Sequence, residues 1–231
     1  MTAEAALAVE QRRRAGSIWA RRLQVFWSSW ATRVSAVVVG LLILVSLVPT
    51  GWWPAAASTI DMAVPPHPPS LLAAPFLGTD HLGRDIFYRI LRSARLTFII
   101  SGLATTFATV TGVLAGLLAG YFRGWTDQAI SRLVDFLLAF PVLLLILALV
   151  VALGQTATSV IIVLGLSGWA GYTRVMRSAV LALAGLELVD SARAIGASPG
   201  RIVFRHLLPN TVSAIMVMST FSLAQFILVE S

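Results

Sequence analysis

"LELVDSARAIGASPGRIVFRHLLPN", residues 186–210, sets acidic groups and arginines 193, 201 and 205 inside a chain that is 58% hydrophobic and 12% charged. Apolar runs flank it, at about 157–172 and 211–229. "LELVDSARAIGAS" has a helical pattern that Gly196 ends or bends. Pro199 suits the first turn of a second helix, "GRIVFRHLL", expected to stop near Pro209. The reading is two short helices around a small-residue corner, Gly196-Ala197-Ser198, projecting between two long apolar segments. Such a corner can enter a groove on another protein, and Arg193, Arg201 and Arg205 suit acidic groups or lipid phosphates there. From pattern alone, a surface-lying connector with no partner fits equally well.

The apolar flanks make a bilayer the solvent to reason in. Mean hydropathy is +0.86, too high for a soluble globule of 231 residues. The net charge is +7, and all 17 basic residues are arginine. Without lysine the chain cannot form a G-x-x-x-x-G-K-[ST] phosphate loop. Without cysteine it cannot use disulfides, thiol catalysis or thiolate metal sites. Basic excess in a membrane protein reports topology, so no nucleic-acid partner is expected.

Outward from the quoted stretch, five spans are expected. The first centres on "VSAVVVGLLILVSLV", residues 34–48, between Trp27 and Trp30 on one side and Trp52 and Trp53 on the other. A helix from Trp30 to Trp52 would rise about 33 Å, close to the bilayer's apolar thickness. A cleaved signal peptide ending at Ala55-Ala56-Ala57 is the alternative, but the basic lead is long for one. The organisation read here is a tail at 1–33, a first span at 34–53, an external connection at 54–95, and a core at 96–231. The connection contains "VPPHPPS" and an amphipathic segment with Arg84, Arg89, Arg92 and Arg95, read as a short helix lying at the interface.

In the core, a second span is expected at 96–121. Gly112, Gly116 and Gly120 recur every four residues there, giving a nearly bare face for close packing. A loop, "FRGWTDQAISR", leads to a third span at 134–153, where Pro141 is a candidate kink and Asp135 would sit favourably beside the helix N-terminus. The fourth and fifth spans are the flanks of the quoted stretch. With the N-terminus inside, 13 arginines fall on the inner side and four on the outer, an orientation the positive-inside rule favours.

The quoted stretch resembles the cytoplasmic coupling loop of ABC importer permease subunits. That family's pattern is E-A-A, three residues, Gly, nine residues, I-x-L-P. Asp190-Ser191-Ala192 stand at the first positions, Gly196 follows in place, and His206-Leu207-Leu208-Pro209 close the pattern. Asp190, Ser191 and His206 replace Glu, Ala and Ile. "GTDHLGRDIFYRILRSAR", "AGYFRGWTDQAISRLVDFLLAFP" and "ILVES" further resemble the branch of dipeptide, oligopeptide and nickel importers, the dipeptide C-type subunits most of all.

The resemblance implies an all-α, polytopic, MetI-like permease fold in the cytoplasmic membrane, with five spans visible. The family continues past "ES" into one more span, so a sixth is expected to be missing or to lie beyond the chain end. It further implies a second homologous permease subunit, two ABC ATPase subunits carrying ATP and magnesium, and an external binding protein, with no cofactor on this chain. The coupling residues would be Asp190, Ser191, Ala192, Arg193, Gly196, Ala197, Ser198, Pro199, His206, Leu208 and Pro209. The expected cargo is a di- or oligopeptide; nickel or another small solute is the alternative.

Candidates for the substrate path are polar groups within spans: Thr105, Thr106, Thr109, Ser219, Ser222 and Gln225. Uncharged groups of this kind suit varied side chains better than a single metal ion. His67, His81 and His206 lack ligand spacing, so no metal site is expected. An ion-gradient transporter would carry ionisable groups near mid-membrane, and none falls mid-span in the first, second, fourth or fifth spans. A membrane enzyme ranks last, for want of a nucleophile–base pair.

Overall fold

The structure is a computed structural model that describes residues 29–48, 67–70, 75–185, 189, 191, 194 and 196–230. The tail at 1–28, Trp52 and Trp53, most of the proline-rich connection, and Asp190, Ala192 and Arg193 lie outside the described residues. Most of the described residues are helical, and they include one isolated bridge between Thr79 and Asp85. Packing divides it into two compact units that part between Arg95 and Leu96.

The first unit holds helix α1, Trp30–Leu47. Its 18 residues rise about 27 Å. The Arg95 guanidinium donates to the Ser46 carbonyl at 3.0 Å, satisfying one of the carbonyls that the helix end leaves without a partner. The segment "GTDHLGRD" is a knot around Asp80. Oδ1 accepts the N–H groups of Leu82 (2.9 Å) and Arg84 (3.0 Å); Oδ2 accepts from the side chains of Arg84 (3.0 Å) and Arg89 (2.5 Å). Burial opposes that charge, but the two N–H groups and the Arg84 guanidinium outweigh it and hold the carboxyl down at about 2. Gly78 takes φ 77, and a side chain there would run into the His67 carbonyl. Asp85 then caps the next helix, accepting from Phe87 N at 2.8 Å and Tyr88 N at 3.3 Å.

That helix, α2, runs unbroken over Ile86–Phe122. Residues 86–95 are therefore its first turns, not a separate interfacial helix. No glycine or proline interrupts 84–101, so nothing in the sequence stops the helix once Asp85 has started it. At 37 residues it is about 55 Å long, well beyond the roughly 30 Å of a hydrocarbon core.

In the second unit, α2 packs against α5, Ala157–Ala184. A Cβ on Gly116 would lie 2.5 Å from Met176 Cβ, and one on Gly120 2.7 Å from Val180 Cβ; one on Gly112 would lie 2.6 Å from the Trp169 carbonyl and collide with Tyr172. Positions 112, 116 and 120 thus meet 172, 176 and 180 in ascending order, so the two helices are parallel. The chain between them must return from one end of the core to the other.

Helices α3, Gly124–Leu138, and α4, Val142–Leu153, make that return, with an 88° bend between them. The third span is thus broken at Pro141, and "GWTDQAISR" is helix rather than loop. Arg123, with φ 53, and Gly124, with φ 58, form the sharp turn that starts it. Thr156 caps α5 by accepting from Ser159 N at 3.1 Å, while Ser159 Oγ donates to the last carbonyl of α4 at 3.1 Å.

The last helix, α6, Pro199–Glu230, contains a π-helical turn at Val203–Leu207, where Leu208 N–H reaches back to the Val203 carbonyl. The helix does not stop at Pro209. The wide turn opens the ladder just where the proline ring would press on the preceding turn and where its missing N–H would break the α-helical bonding. Thr211 Oγ1 takes up the Leu208 carbonyl at 2.9 Å, and Asn210 takes that of His206 at 2.6 Å. Three helices among the described residues (α2, α5 and α6) are long and apolar enough to span a bilayer, and α3 with α4 makes a fourth if the bent pair is one span.

Candidate functional site

The end of the core where α5 stops and α6 begins carries most of the polar chemistry. Val189, Ile202, Val203 and Leu207 are all buried there in the same apolar cluster as Met176 and Val180 of α5. These anchors were not singled out from the sequence; they alternate with exposed positions at helical spacing, which is the signal that marks them. Between them the chain turns outward. Gly196 has φ 77, is exposed, and has nothing within 4 Å of where a Cβ would stand. Only the backbone demands glycine at this corner, since L-residues avoid positive φ.

Ala197 is half-buried against the core. Ser198 is extended, φ −64 and ψ 150, and its carbonyl accepts from Ile202 N at 3.1 Å. Pro199 takes the first helical position, where it costs no hydrogen bond. Ser191 and Ala194 are helical and exposed. His206 and Leu208 are half-buried and Pro209 is exposed. The corner is therefore a small exposed tip between two flanks fastened to the core.

Beside it, two ion pairs join α3 to α5. Arg177 grips Asp127 with two nitrogens, Nη2 lying 2.6 Å from Oδ2 and Nε bonding Oδ1. Ser131 Oγ adds a third bond to the same carboxylate at 3.1 Å. Arg174 Nη2 meets Asp135 Oδ1 at 2.7 Å. Asp135 thus lies near the C-terminal end of α3, paired with a residue 39 positions away, and not beside a helix N-terminus. A cavity of about 280 Å³ opens between the helices, lined by Ser131, Val134, Asp135, Thr173, Arg174 and Arg177.

Residues 112–229 match the family described as the binding-protein-dependent transport system inner membrane component. The chain belongs to this family. It is 35% identical over 205 residues to the nickel transport system permease protein NikC of Escherichia coli K12, covering 87% of this chain and 72% of that protein. It is 31% identical to the oligopeptide transport system permease protein OppC of Bacillus subtilis, over 93% of this chain and 70% of OppC. The dipeptide transport system permease protein DppC of Bacillus subtilis is 31% identical over 71% of this chain and 51% of its own length. The molecule is thus an ABC importer permease subunit of the peptide and nickel branch, an inner-membrane component whose relatives are named transport system permease proteins.

In this permease the polar residues within the helices divide. Thr109 on α2 and Ser219 on α6 face each other, their hydroxyls 3.2 Å apart. Thr106 is exposed but bonds its own helix at Gly102. Thr105 is buried, and its hydroxyl has no partner among the described residues; the same holds for Tyr172. Ser222 is half-buried and Gln225 exposed on α6, and among the described residues no hydrogen bond joins either to the Thr109–Ser219 pair.

Proposed function

We propose that this chain is one half of an ATP-driven pore that imports di- or oligopeptides, gripped from the cytoplasm through residues 186–210. The observation that carries the reading is the Gly196 corner: an exposed, side-chain-free tip whose two flanks are anchored in the core by Val189 on one side and Ile202, Val203 and Leu207 on the other. A force applied to such a tip moves α5 and α6 rather than a slack loop. Energy then comes from two ATPase subunits, because the chain has no lysine with which to build a phosphate loop. A second permease subunit completes the pore, and an external binding protein delivers the cargo. The N-terminus lies in the cytoplasm, as the arginine distribution favours. Asp190, Ala192 and Arg193 complete the contact with the ATPase.

A peptide cargo fits the uncharged Thr109–Ser219 pair, which can accept varied polar groups without demanding a fixed charge. A nickel cargo is the second reading, favoured by the 35% identity to the nickel permease. Two measurements test these readings. Gly196→Arg, with normal membrane insertion, is expected to abolish co-purification with the cognate ATPase subunits and uptake together; retained binding and uptake would reduce the corner to a connector. Uptake of labelled dipeptide against labelled nickel by cells expressing the intact system decides the cargo.

A further inference from the structure

The two ion pairs between α3 and α5 are unequal, and besides them helix α3 has only a thin apolar seat. Val134 is its one buried residue, and α4, beyond the 88° bend, has none. A helix seated by dry packing would bury a stripe along its length; here the stripe at Thr126, Ile130, Val134 and Leu137 is only half-buried apart from Val134, so the charged pairs supply much of the fastening. Asp127 is 17% exposed and receives two nitrogens of Arg177 in a fixed fork and a hydroxyl from Ser131. Asp135 and Arg174 are 66% and 58% exposed and share one contact. The cavity of about 280 Å³ is lined by both members of that second pair but, of the first, by Arg177 and not Asp127, and it leaves room for several waters at about 30 Å³ each. Asp135 and Arg174 can exchange each other for water at little cost, whereas Asp127 and Arg177 cannot.

We propose that Asp127 and Arg177 are the pivot, and Asp135 and Arg174 the releasable latch, of a strap that makes α3 travel with α5 and lets the bend at Pro141 open and close during transport. All four act as positioning residues. The inference rests on the reading that residues 186–210 receive an ATPase's stroke: α5 leads into that segment, so whatever moves α5 carries the pivot with it, and α4 follows according to whether the latch is closed.

The test uses the assembled importer, with this chain, its cognate subunits and its binding protein in lipid vesicles. The chain has no cysteine, so spin labels can be placed at Gln128 and Ser178, both exposed, and separately at Leu138 and Ser178. Between nucleotide-free and ATP-trapped states, the 128–178 distance is expected to stay constant while the 138–178 distance shifts. Asp127→Asn is expected to let the first distance vary and to lower the substrate moved per ATP hydrolysed about tenfold, the loss of a charge-assisted pair. The exchange Asp127→Arg with Arg177→Asp is expected to recover most of that ratio, which separates a lost pair from a damaged fold. Asp135→Asn is expected to broaden only the 138–178 distance. A 128–178 distance that changes with nucleotide in the unaltered chain, or an Asp127→Asn importer with an unchanged ratio, overturns the strap alone. Failure of the unaltered chain to assemble with ATPase subunits overturns the functional reading and the strap's role with it.

Discussion

Helix α5 is gripped on two sides near the same end, by opposite means. Against α2 it makes backbone-level contact: Gly112, Gly116 and Gly120 leave no room for a methyl group beside Tyr172, Met176 and Val180. Against α3 it is joined by side chains reaching across a cavity, from Asp127 to Arg177 and from Asp135 to Arg174. The first contact has no slack, because close-packed backbones can move only as one body. The second can turn about the Asp127–Arg177 fork, and its exposed Asp135–Arg174 pair can exchange with water. The lesson is that one helix can be at once part of a stiff body and the axle of a movable one.

The comparison breaks most readily on the glycine side. Gly116→Leu is expected to cost about 3 kcal/mol or more, since the new side chain meets Met176 Cβ and the Thr173 carbonyl, neither free to withdraw. Thermal unfolding in detergent measures it; a melting point within a degree of the parent would mean the helices are not so closely seated. Asp127→Asn comes next, at about 1–2 kcal/mol, after discounting for the 35% exposure of Arg177. Thr109→Val should cost about 0.6 kcal/mol, the usual size of a hydroxyl bond between membrane helices, with little further loss when Ser219→Ala is added. Asp135→Asn should change stability by less than about 0.5 kcal/mol, because both partners are exposed. If Asp135→Asn matched Asp127→Asn in the same assay, the distinction between the two pairs would collapse.

The smallest effect is one of pH. Asp80, whose donors include two fixed backbone N–H groups beside the Arg84 and Arg89 guanidinium groups, has its carboxyl lowered from 3.8 to about 2. Its contribution is therefore complete above pH 3.8 and is lost only as pH falls through about 2. Hydrogen exchange of the Leu82 and Arg84 amides is expected to be flat from neutral pH down to about 4, once corrected for intrinsic rates. Faster exchange already at pH 5 would show that the carboxylate is not held as described.

Much of this was legible in the sequence where a signal was local. The glycine repeat at 112, 116 and 120 announced a bare helix face, although not which helix would cover it. Gly196 and Pro199 marked the corner through their own backbone chemistry. What required distant partners was not legible. Asp135 looked like a helix-start carboxylate because nothing nearby reveals Arg174, 39 residues on. Residues 124–132 read as a loop because polar Thr126, Asp127, Gln128 and Ser131 outweighed a periodic apolar set at Trp125, Ala129, Ile130, Leu133 and Val134. Pro209 read as a stop because a wide turn upstream is invisible to a rule that knows only α-helical bonding.

That wide turn at Val203–Leu207 has a consequence for everything after it. One additional residue in the ladder advances the rest of α6 by about 100° relative to an uninterrupted helix. The azimuth of Ser219, Ser222 and Gln225 is thus set some three turns away, by a segment that touches none of them. Removing a single residue between 203 and 207 would keep every polar group of the helix and aim all of them elsewhere, so Ser219 would no longer meet Thr109. In this permease the composition of the last helix and its phase are separate inheritances, and a one-residue change in length can alter the second while leaving the first intact.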